Sequence, residues 1–160
     1  MNLLISVIGG SECTAADAQA AEAVGAGLAR GGATVVCGGL TGVMAAVCRG
    51  ARQAGGHTIA LLPGDDPRAA NPDVEFAIPT GLGHARNVIV ARAGRAVIAI
   101  AGSHGTLSEI SLALVYGTPV VALNTWDVSL HGVAPPGLVR ATSAADAVEK
   151  ALALAAARRV

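Results

Sequence analysis

Charged and aromatic residues are both scarce in this chain. Only 14% of its 160 residues are charged and 2% are aromatic, whereas 52% are hydrophobic. The 11 basic and 11 acidic residues balance to a formal net charge of zero, so the chain lacks the basic excess typical of nucleic-acid-binding surfaces. High hydrophobicity with low charge also argues against disorder. We therefore expect a folded domain with extensive buried surface and no nucleic-acid partner.

Long apolar runs are also missing. Glycine, proline or a charge interrupts each run before it reaches the ~18 residues that a membrane span requires. The first run, LLISVIG at 3–9, has no basic leader and passes directly into a glycine loop, which is not typical of a signal peptide. We expect a cytoplasmic protein with no membrane partner.

Metal-binding and disulfide patterns are absent from the sequence. Cys13, Cys37 and Cys48 form no C-x-x-C pair, and the four histidines are scattered. Such spacing favours neither a zinc site nor a disulfide framework. We predict no metal ligands and interpret the cysteines as small, mostly buried side chains.

What the chain does contain is a regular alternation of short apolar runs and helix-like stretches. Strands are predicted at 3–9, 33–37, 57–63, 74–80, 95–100 and 119–123. Helices are predicted at 14–30, within 38–55, and at 84–93, 106–116 and 143–159. Segments 64–73 and 124–140 are predicted as loops, the second with a short helical turn. This order predicts one α/β domain, residues 1–160, whose parallel sheet is covered by helices on both faces.

Three glycine-containing loops follow predicted strands: GGSECT at 9–14, CGGLTGVM at 37–44 and AGSHGT at 101–106. Because open parallel sheets bind ligands beyond the carboxyl ends of their strands, we expect these loops to share one site. The dinucleotide fingerprint and the P-loop motif are both absent, which excludes the usual NAD and NTPase sites. The candidate ligand-binding residues are Gly10, Ser11, Gly38, Gly39, Thr41, Gly42, Met44, Gly102, Ser103, His104, Gly105 and Thr106.

The stretch AGSHGTLSEI at 101–110 permits two interpretations. Thr106 and Glu109 have the three-residue spacing of a capping box, in which both side chains bond the N–H groups of their own helix. The same N–H groups, with the hydroxyl of Thr106 and the positive end of the helix dipole, are suited to binding a phosphate. Both interpretations stay open at the level of sequence.

In their order along the chain, these motifs resemble the LONELY GUY (LOG) proteins, which are often mislabelled lysine decarboxylases. CGGLTGVM is similar to that family's G-G-G-x-x-G-L-M-G, GHARN at 83–87 to its M-H-x-R-K, and AGSHGTLSE to its P-G-G-x-G-T-x-x-E. The sequences GHARN and GTLSE are more similar to the corresponding motifs of the molybdenum cofactor carrier proteins, which belong to the same superfamily. The resemblance implies a three-layer Rossmann-like α/β domain with a mostly parallel, doubly wound sheet.

The resemblance also assigns roles to two residues. Arg86 and Glu109 fall on the arginine and glutamate that LOG enzymes use to hydrolyse the N-glycosidic bond of a cytokinin nucleoside 5′-monophosphate, and they are the candidate catalytic residues. Departures from the LOG motifs, among them Cys37, Ala101 and Ser103, flank this pair. They would reshape the pocket, so the resemblance does not decide whether the chain is an enzyme.

Three functions follow from these observations. The first is a binding protein, similar to the molybdenum cofactor carriers, for a nucleotide monophosphate or a molybdopterin-type cofactor. The alternative is a phosphoribohydrolase that acts on a nucleoside 5′-monophosphate, and the third is a scaffold with a vestigial site. None of them requires a resident cofactor, and lysine decarboxylation is not expected. The apolar composition and the family resemblance also predict a homodimer or larger homo-oligomer.

Overall fold

The computed structural model describes residues 3–158. Seven strands form one sheet in the order β4-β3-β2-β1-β5-β6-β7, and every neighbouring pair is parallel. The strands are β1 Leu3–Gly9, β2 Ala33–Cys37, β3 Thr58–Leu62, β4 Phe76–Pro79, β5 Val97–Ile100, β6 Val120–Leu123 and β7 Leu138–Ala141. The helices are α1 Ala15–Arg30, α2 Val43–Gln53, α3 Asn87–Ala93, α4 His104–Val115 and α5 Ala144–Ala157. Short 3-10 turns lie at Pro67–Ala69 and Gly83–Arg86.

Helices cover both faces of the sheet and create two separate cores. One core joins α1, α2 and α5 to strand residues such as Ile5 and Val35. The other joins α3 and α4 to residues such as Ile8 and Val36, which follow Val7 and Val35 of the first core along their strands. Successive side chains of a strand point to opposite faces of the sheet. A strand that is buried on both faces therefore carries apolar residues in succession and does not alternate them with polar residues. The predicted three-layer α/β architecture is confirmed.

The order of the strands creates a crevice at one edge of the sheet. From β1 the chain builds outward through β2 and β3 to β4, and then returns to place β5 on the other side of β1. The loops that follow β1 and β5 therefore lead to helices on opposite faces, and the space between them opens at the carboxyl ends of the strands. This is the edge at which the glycine loops were expected to meet.

Three predicted elements differ from the structure. Segment 124–140 was predicted as loop, but its end forms β7, an edge strand that pairs with β6. The predicted helix at 84–93 begins as the 3-10 turn and becomes α-helical only at Asn87. Helix α4 begins at His104, two residues before the predicted start at Thr106. Among the described residues, no helix combines the length and hydropathy needed to cross a membrane.

Candidate functional site at the carboxyl ends of β1, β2 and β5

A pocket of about 170 Å³ lies where the strand order reverses. Four segments form its walls: the loops after β1, β2 and β5, and the 3-10 turn before α3. Its polar and loop residues are Gly10, Ser11, Gly38, His84, Arg86, Asn87, Ser103, Gly105, Thr106 and Glu109, and Val7, Ile8, Gly9, Leu40 and Met44 complete the lining. Nine of the predicted site residues therefore lie in one pocket: Gly10, Ser11, Gly38, Met44, Arg86, Ser103, Gly105, Thr106 and Glu109.

Arg86 is held at the pocket wall by the 3-10 turn and is only 7% exposed. Its Nη2 donates to the carbonyl of Gly38 at 3.4 Å. A Cβ at position 38 would lie 2.5 Å from Nη1 and 2.6 Å from Nη2, so the guanidinium occupies the space that glycine leaves free. Its Nε is buried and has no hydrogen-bond partner. Burial lowers the pKa of Arg86 below its ordinary value, although the charge of Glu109 opposes that shift.

Glu109 faces Arg86 from the second turn of α4. Its Oε1 lies 3.8 Å from Nη1 of Arg86, and its side chain is 9% exposed. Burial raises the pKa of this carboxyl to about 7, against the opposing attraction of Arg86. Burial thus outweighs the ion pair for both partners. At neutral pH the carboxyl is divided between its protonated and ionised forms, as a general acid or base requires.

The start of α4 supplies backbone donors to the same pocket. Ser103 is the N-cap residue, but its side chain makes no capping hydrogen bond. The capping-box interpretation of Thr106 and Glu109 is wrong, because the earlier helix start places both side chains within the helix and against the pocket. Thr106 is 2% exposed. The first turn of α4 therefore brings backbone N–H groups, a hydroxyl and the positive end of the helix dipole to the pocket, an arrangement suited to an anion.

The remaining predicted residues lie outside the pocket lining. Gly42 has φ 62° and adjoins Gly10 so closely that a side chain there would meet the backbone of the first loop. Thr41 donates from Oγ1 to the carbonyl of Ser11 at 2.9 Å, and Gly39 packs on Ala60. These residues join the first two glycine loops to each other and to the sheet rather than lining the pocket.

Gly102, on the β5–α4 loop, and His104, the first residue of α4, also lie outside the lining. Gly102 has φ 101° and turns the chain into α4. The ring of His104 lies 5.7 Å from that of Trp126, between centroids. Sequence reasoning did not propose Leu40 or Asn87 as site residues, because an apolar side chain or a lone amide carries no distinctive pattern. His84 lies within the GHARN motif, and the position of that motif was the available signal.

Among residues 3–158, no group of three or more His, Cys, Asp or Glu side chains is arranged to hold a metal ion. Cys37 and Cys48 are buried, with their sulfur atoms 3.5 Å apart. The hydrogen bond with Cys48, together with burial, raises the pKa of the Cys37 thiol. This pair lies in the core beneath the second glycine loop and does not line the pocket.

Comparison with known proteins relates the chain to a family. Residues 2–153 match the model of the SLOG cluster4 family. An uncharacterised protein from Archaeoglobus fulgidus is 40% identical over 119 residues, which cover 74% of this chain and 78% of that protein.

Two solved structures are similar over nearly their whole length. One is the molybdenum cofactor binding protein of Rippkaea orientalis, with a TM-score of 0.88 and 32% identity over 96% of this chain and 98% of that chain. The other is the molybdenum cofactor carrier protein of Chlamydomonas reinhardtii, with a TM-score of 0.86 and 29% identity over 98% of this chain and 99% of that chain.

Proposed function

This chain belongs to the SLOG cluster4 family, and from that membership and the pocket we propose that it is a carrier for a phosphorylated, nucleotide-like molecule of the molybdopterin type. The site is the pocket at the carboxyl edge of the sheet. Two proteins of the same fold, one described as a molybdenum cofactor binder and one as a carrier, support this ligand class. The ligand is cargo, so the protein has to bind and shield it but does not have to transform it.

The observation that carries the proposal is the unpartnered Nε of Arg86 beside the start of α4. A buried N–H without an acceptor costs about 1–3 kcal/mol, and more when the group is charged. A phosphate oxygen would satisfy it with a charge-assisted hydrogen bond. The side chain of Thr106 and the N–H groups of the first turn of α4 would bind further oxygens of the same phosphate.

Calorimetric titration tests the proposal, with guanosine 5′-monophosphate (GMP) as the probe because guanine shares its pyrimidine half with a pterin. We expect wild-type protein to bind GMP and Arg86→Ala to weaken binding at least about tenfold, which corresponds to 1.4 kcal/mol. Arg68→Ala is the matched control, because Arg68 is exposed and pairs only with Asp66. Equal affinities of the wild type and Arg86→Ala would contradict the assigned role, and a wild type that binds no GMP would favour a vestigial site.

A phosphoribohydrolase is the second candidate, and the Glu109–Arg86 pair is the observation that favours it. In this reaction Arg86 holds the substrate phosphate while the Glu109 carboxylate takes a proton from water. The water oxygen bonds to the anomeric carbon, the N-glycosidic bond breaks, and Glu109 returns its proton to the leaving base. A carboxyl with a pKa of about 7 is suited to that exchange.

Product analysis separates the two candidates. A hydrolase releases free base and ribose 5-phosphate from a nucleoside 5′-monophosphate, and Glu109→Gln abolishes that release while leaving GMP bound. A wild-type protein that binds GMP and releases no guanine is a carrier and not a hydrolase.

We extend the proposal to partners and location. The exposed surfaces of α3 and α4 adjoin, because Arg92 lies over the ring of Tyr116 with Cζ 4.4 Å from the ring centroid. Ile89, Val115 and Tyr116 lie exposed on these helices or at their ends. A second copy of the chain is the proposed occupant of this face, since two apolar surfaces bury each other in a symmetric dimer.

The remaining expectations are that the protein binds no nucleic acid and that it lies in the cytoplasm. Zero net charge gives no electrostatic basis for nucleic-acid binding, and free cysteines favour the reducing cytoplasm. An electrophoretic mobility shift assay with single- and double-stranded DNA tests the expected lack of nucleic-acid binding. Cell fractionation tests the expected location.

A further inference from the structure

The pocket is too small for a whole nucleotide-like ligand. Sites for drug-sized molecules usually enclose about 300–1,000 Å³, whereas this pocket encloses about 170 Å³. That volume is closer to the size of a sugar phosphate than to that of a whole nucleotide. A ring attached to such a sugar phosphate would therefore extend into the space next to the pocket.

A second cleft, of about 270 Å³, adjoins the pocket across the β5–α4 loop. Its walls are Ala101 and Gly102 on one side and Asn124, Thr125 and Trp126, which follow β6, on the other. Ser103 lines the pocket and the neighbouring Gly102 lines the cleft. Consecutive residues of the β5–α4 loop thus line the two spaces, and their volumes together reach the usual size of a small-molecule site.

The cleft is a built feature of the fold. The indole Nε1 of Trp126 donates to the carbonyl of Ser103 at 3.0 Å, and Thr125 Oγ1 donates to the carbonyl of Ala101. Ala101 and Asn124 both have φ 48°, an uncommon backbone conformation for residues other than glycine. These two residues directly follow β5 and β6, so the adjacent strands both end in left-handed turns that open the space between them.

We propose that this cleft is the subsite for the planar nitrogen heterocycle of the ligand whose phosphate the pocket binds. The inference rests on the proposed function and adds to it which residues recognise the ring. The chain contains one Trp, one Tyr and one Phe, and only Trp126 lines either space. It is therefore the one aromatic side chain on which a ring bound there can stack.

Asn124 adds a polar contact to the same wall. Its side chain is exposed, and an amide both donates and accepts hydrogen bonds. A guanine or pterin edge presents an N–H donor beside a carbonyl acceptor, which matches such an amide. The cleft thus supplies stacking and a directional contact, while the pocket supplies the charge.

The test compares two probes that differ only by the ring, ribose 5-phosphate and GMP, in calorimetric titrations. Loss of a stacked aromatic costs about 1–3 kcal/mol per base, so Trp126→Ala should weaken GMP binding about fivefold or more and leave ribose 5-phosphate binding within about twofold. Asn124→Gly tolerates the left-handed backbone and removes only the amide, and it should weaken GMP alone. Phe76→Ala, at an exposed aromatic on β4, is the matched control and should change neither affinity.

The fluorescence of Trp126, the only tryptophan, gives an independent readout. GMP should quench it, and ribose 5-phosphate should not. The inference is overturned if Trp126→Ala weakens both probes equally, since Trp126 would then only support the Ser103 loop. It is also overturned if the wild type binds both probes equally well, in which case the proposed phosphate site stands without the subsite. A wild type that binds neither probe overturns the proposed function and the inference together.

Discussion

At the scale of single residues, the candidate site contains two charged groups whose burial opposes folding. Arg86 and Glu109 are both buried, and in each the pKa shifts toward the neutral form despite the 3.8 Å separation of their charged atoms. Buried ion pairs often fail to recover the cost of leaving water. This arrangement favours an incoming anion, because a phosphate would supply the guanidinium with the acceptor that the protein does not provide.

Glu109→Gln should therefore stabilise the protein in a pH-dependent way. The folded-state pKa of about 7 exceeds the ordinary 4.5, so the folded protein holds a proton that the unfolded chain releases, and stability falls as pH rises from 4.5 to 7. A shift of this size corresponds to about 3 kcal/mol. Denaturant unfolding should show a gain for the variant that is small at pH 4.5 and approaches that value at pH 8; a gain independent of pH would contradict the assignment.

Gly105 is a residue where stability and binding should change in opposite directions. It lies in the first turn of α4 and lines the pocket, and a Cβ at this position would meet no neighbouring atom within 4 Å. Gly105→Ala should stabilise the helix by about 0.5–1 kcal/mol. The added methyl group should also narrow the proposed phosphate site and weaken GMP binding. Thermal melting and calorimetry check the two effects; unchanged affinity would show that the phosphate binds elsewhere.

At the scale of elements, the close packing of α1 against α2 supports the second glycine loop. Gly25 on α1 adjoins the backbone of Val47, and Gly50 on α2 adjoins the backbone of Glu22. The two helices approach so closely that neither glycine has room for a Cβ. Since α2 begins at Val43, whose N–H donates to the carbonyl of Gly10, the position of this helix also sets the position of the first two loops.

Gly50→Ala should consequently destabilise the fold, although alanine favours a helix over glycine. The methyl group would overlap the carbonyl of Glu22, and overpacking of this kind typically costs about 1–3 kcal/mol. Gly64→Ala makes the same exchange in a loop with free space and should change stability by less than about 0.5 kcal/mol. Chemical denaturation of both variants measures the difference; equal stabilities would show that the helices separate at little cost.

At the scale of the whole molecule, the site and the proposed dimer face share two helices. Arg86 immediately precedes α3 and Glu109 lies on α4, while exposed apolar residues occupy the opposite ends and outer sides of these helices. Val115 is 77% exposed, at the end of α4. Association through this face would fix the relative positions of α3 and α4, and therefore of the Arg86–Glu109 pair.

Light scattering should therefore find the wild type as a dimer or larger assembly, and Val115→Asp as a monomer at the same concentration. A carboxylate in the centre of an apolar interface has no partner and is costly to bury. Phe76→Asp is the control, because Phe76 is also exposed but lies on β4, at the edge of the sheet. The face is not the interface if the wild type is monomeric, or if the assembly dissociates in both variants.

Much of this architecture could be predicted from local patterns. Apolar runs at the positions of β1 and β2 indicate strands buried on both faces, and their alternation with helices requires parallel connections. Thr14 and Ser143 cap α1 and α5 as their residue types predict. β7 was missed because only Leu138 of its four residues is buried, so its strand conformation depends on pairing with β6.

Local patterns are enough to predict the α/β class, the family motifs and the residue types of the candidate site. Which of those residues meet depends on the three-dimensional fold. The start of α4 at His104 turns Thr106 and Glu109 into the pocket, because side-chain direction on a helix depends on where the helix begins. The place of β5 beside β1 brings Arg86 to Glu109, and the loop after β6 brings Trp126 to Ser103. Such contacts join residues distant along the chain, and they are set by strand order and packing rather than by any local pattern.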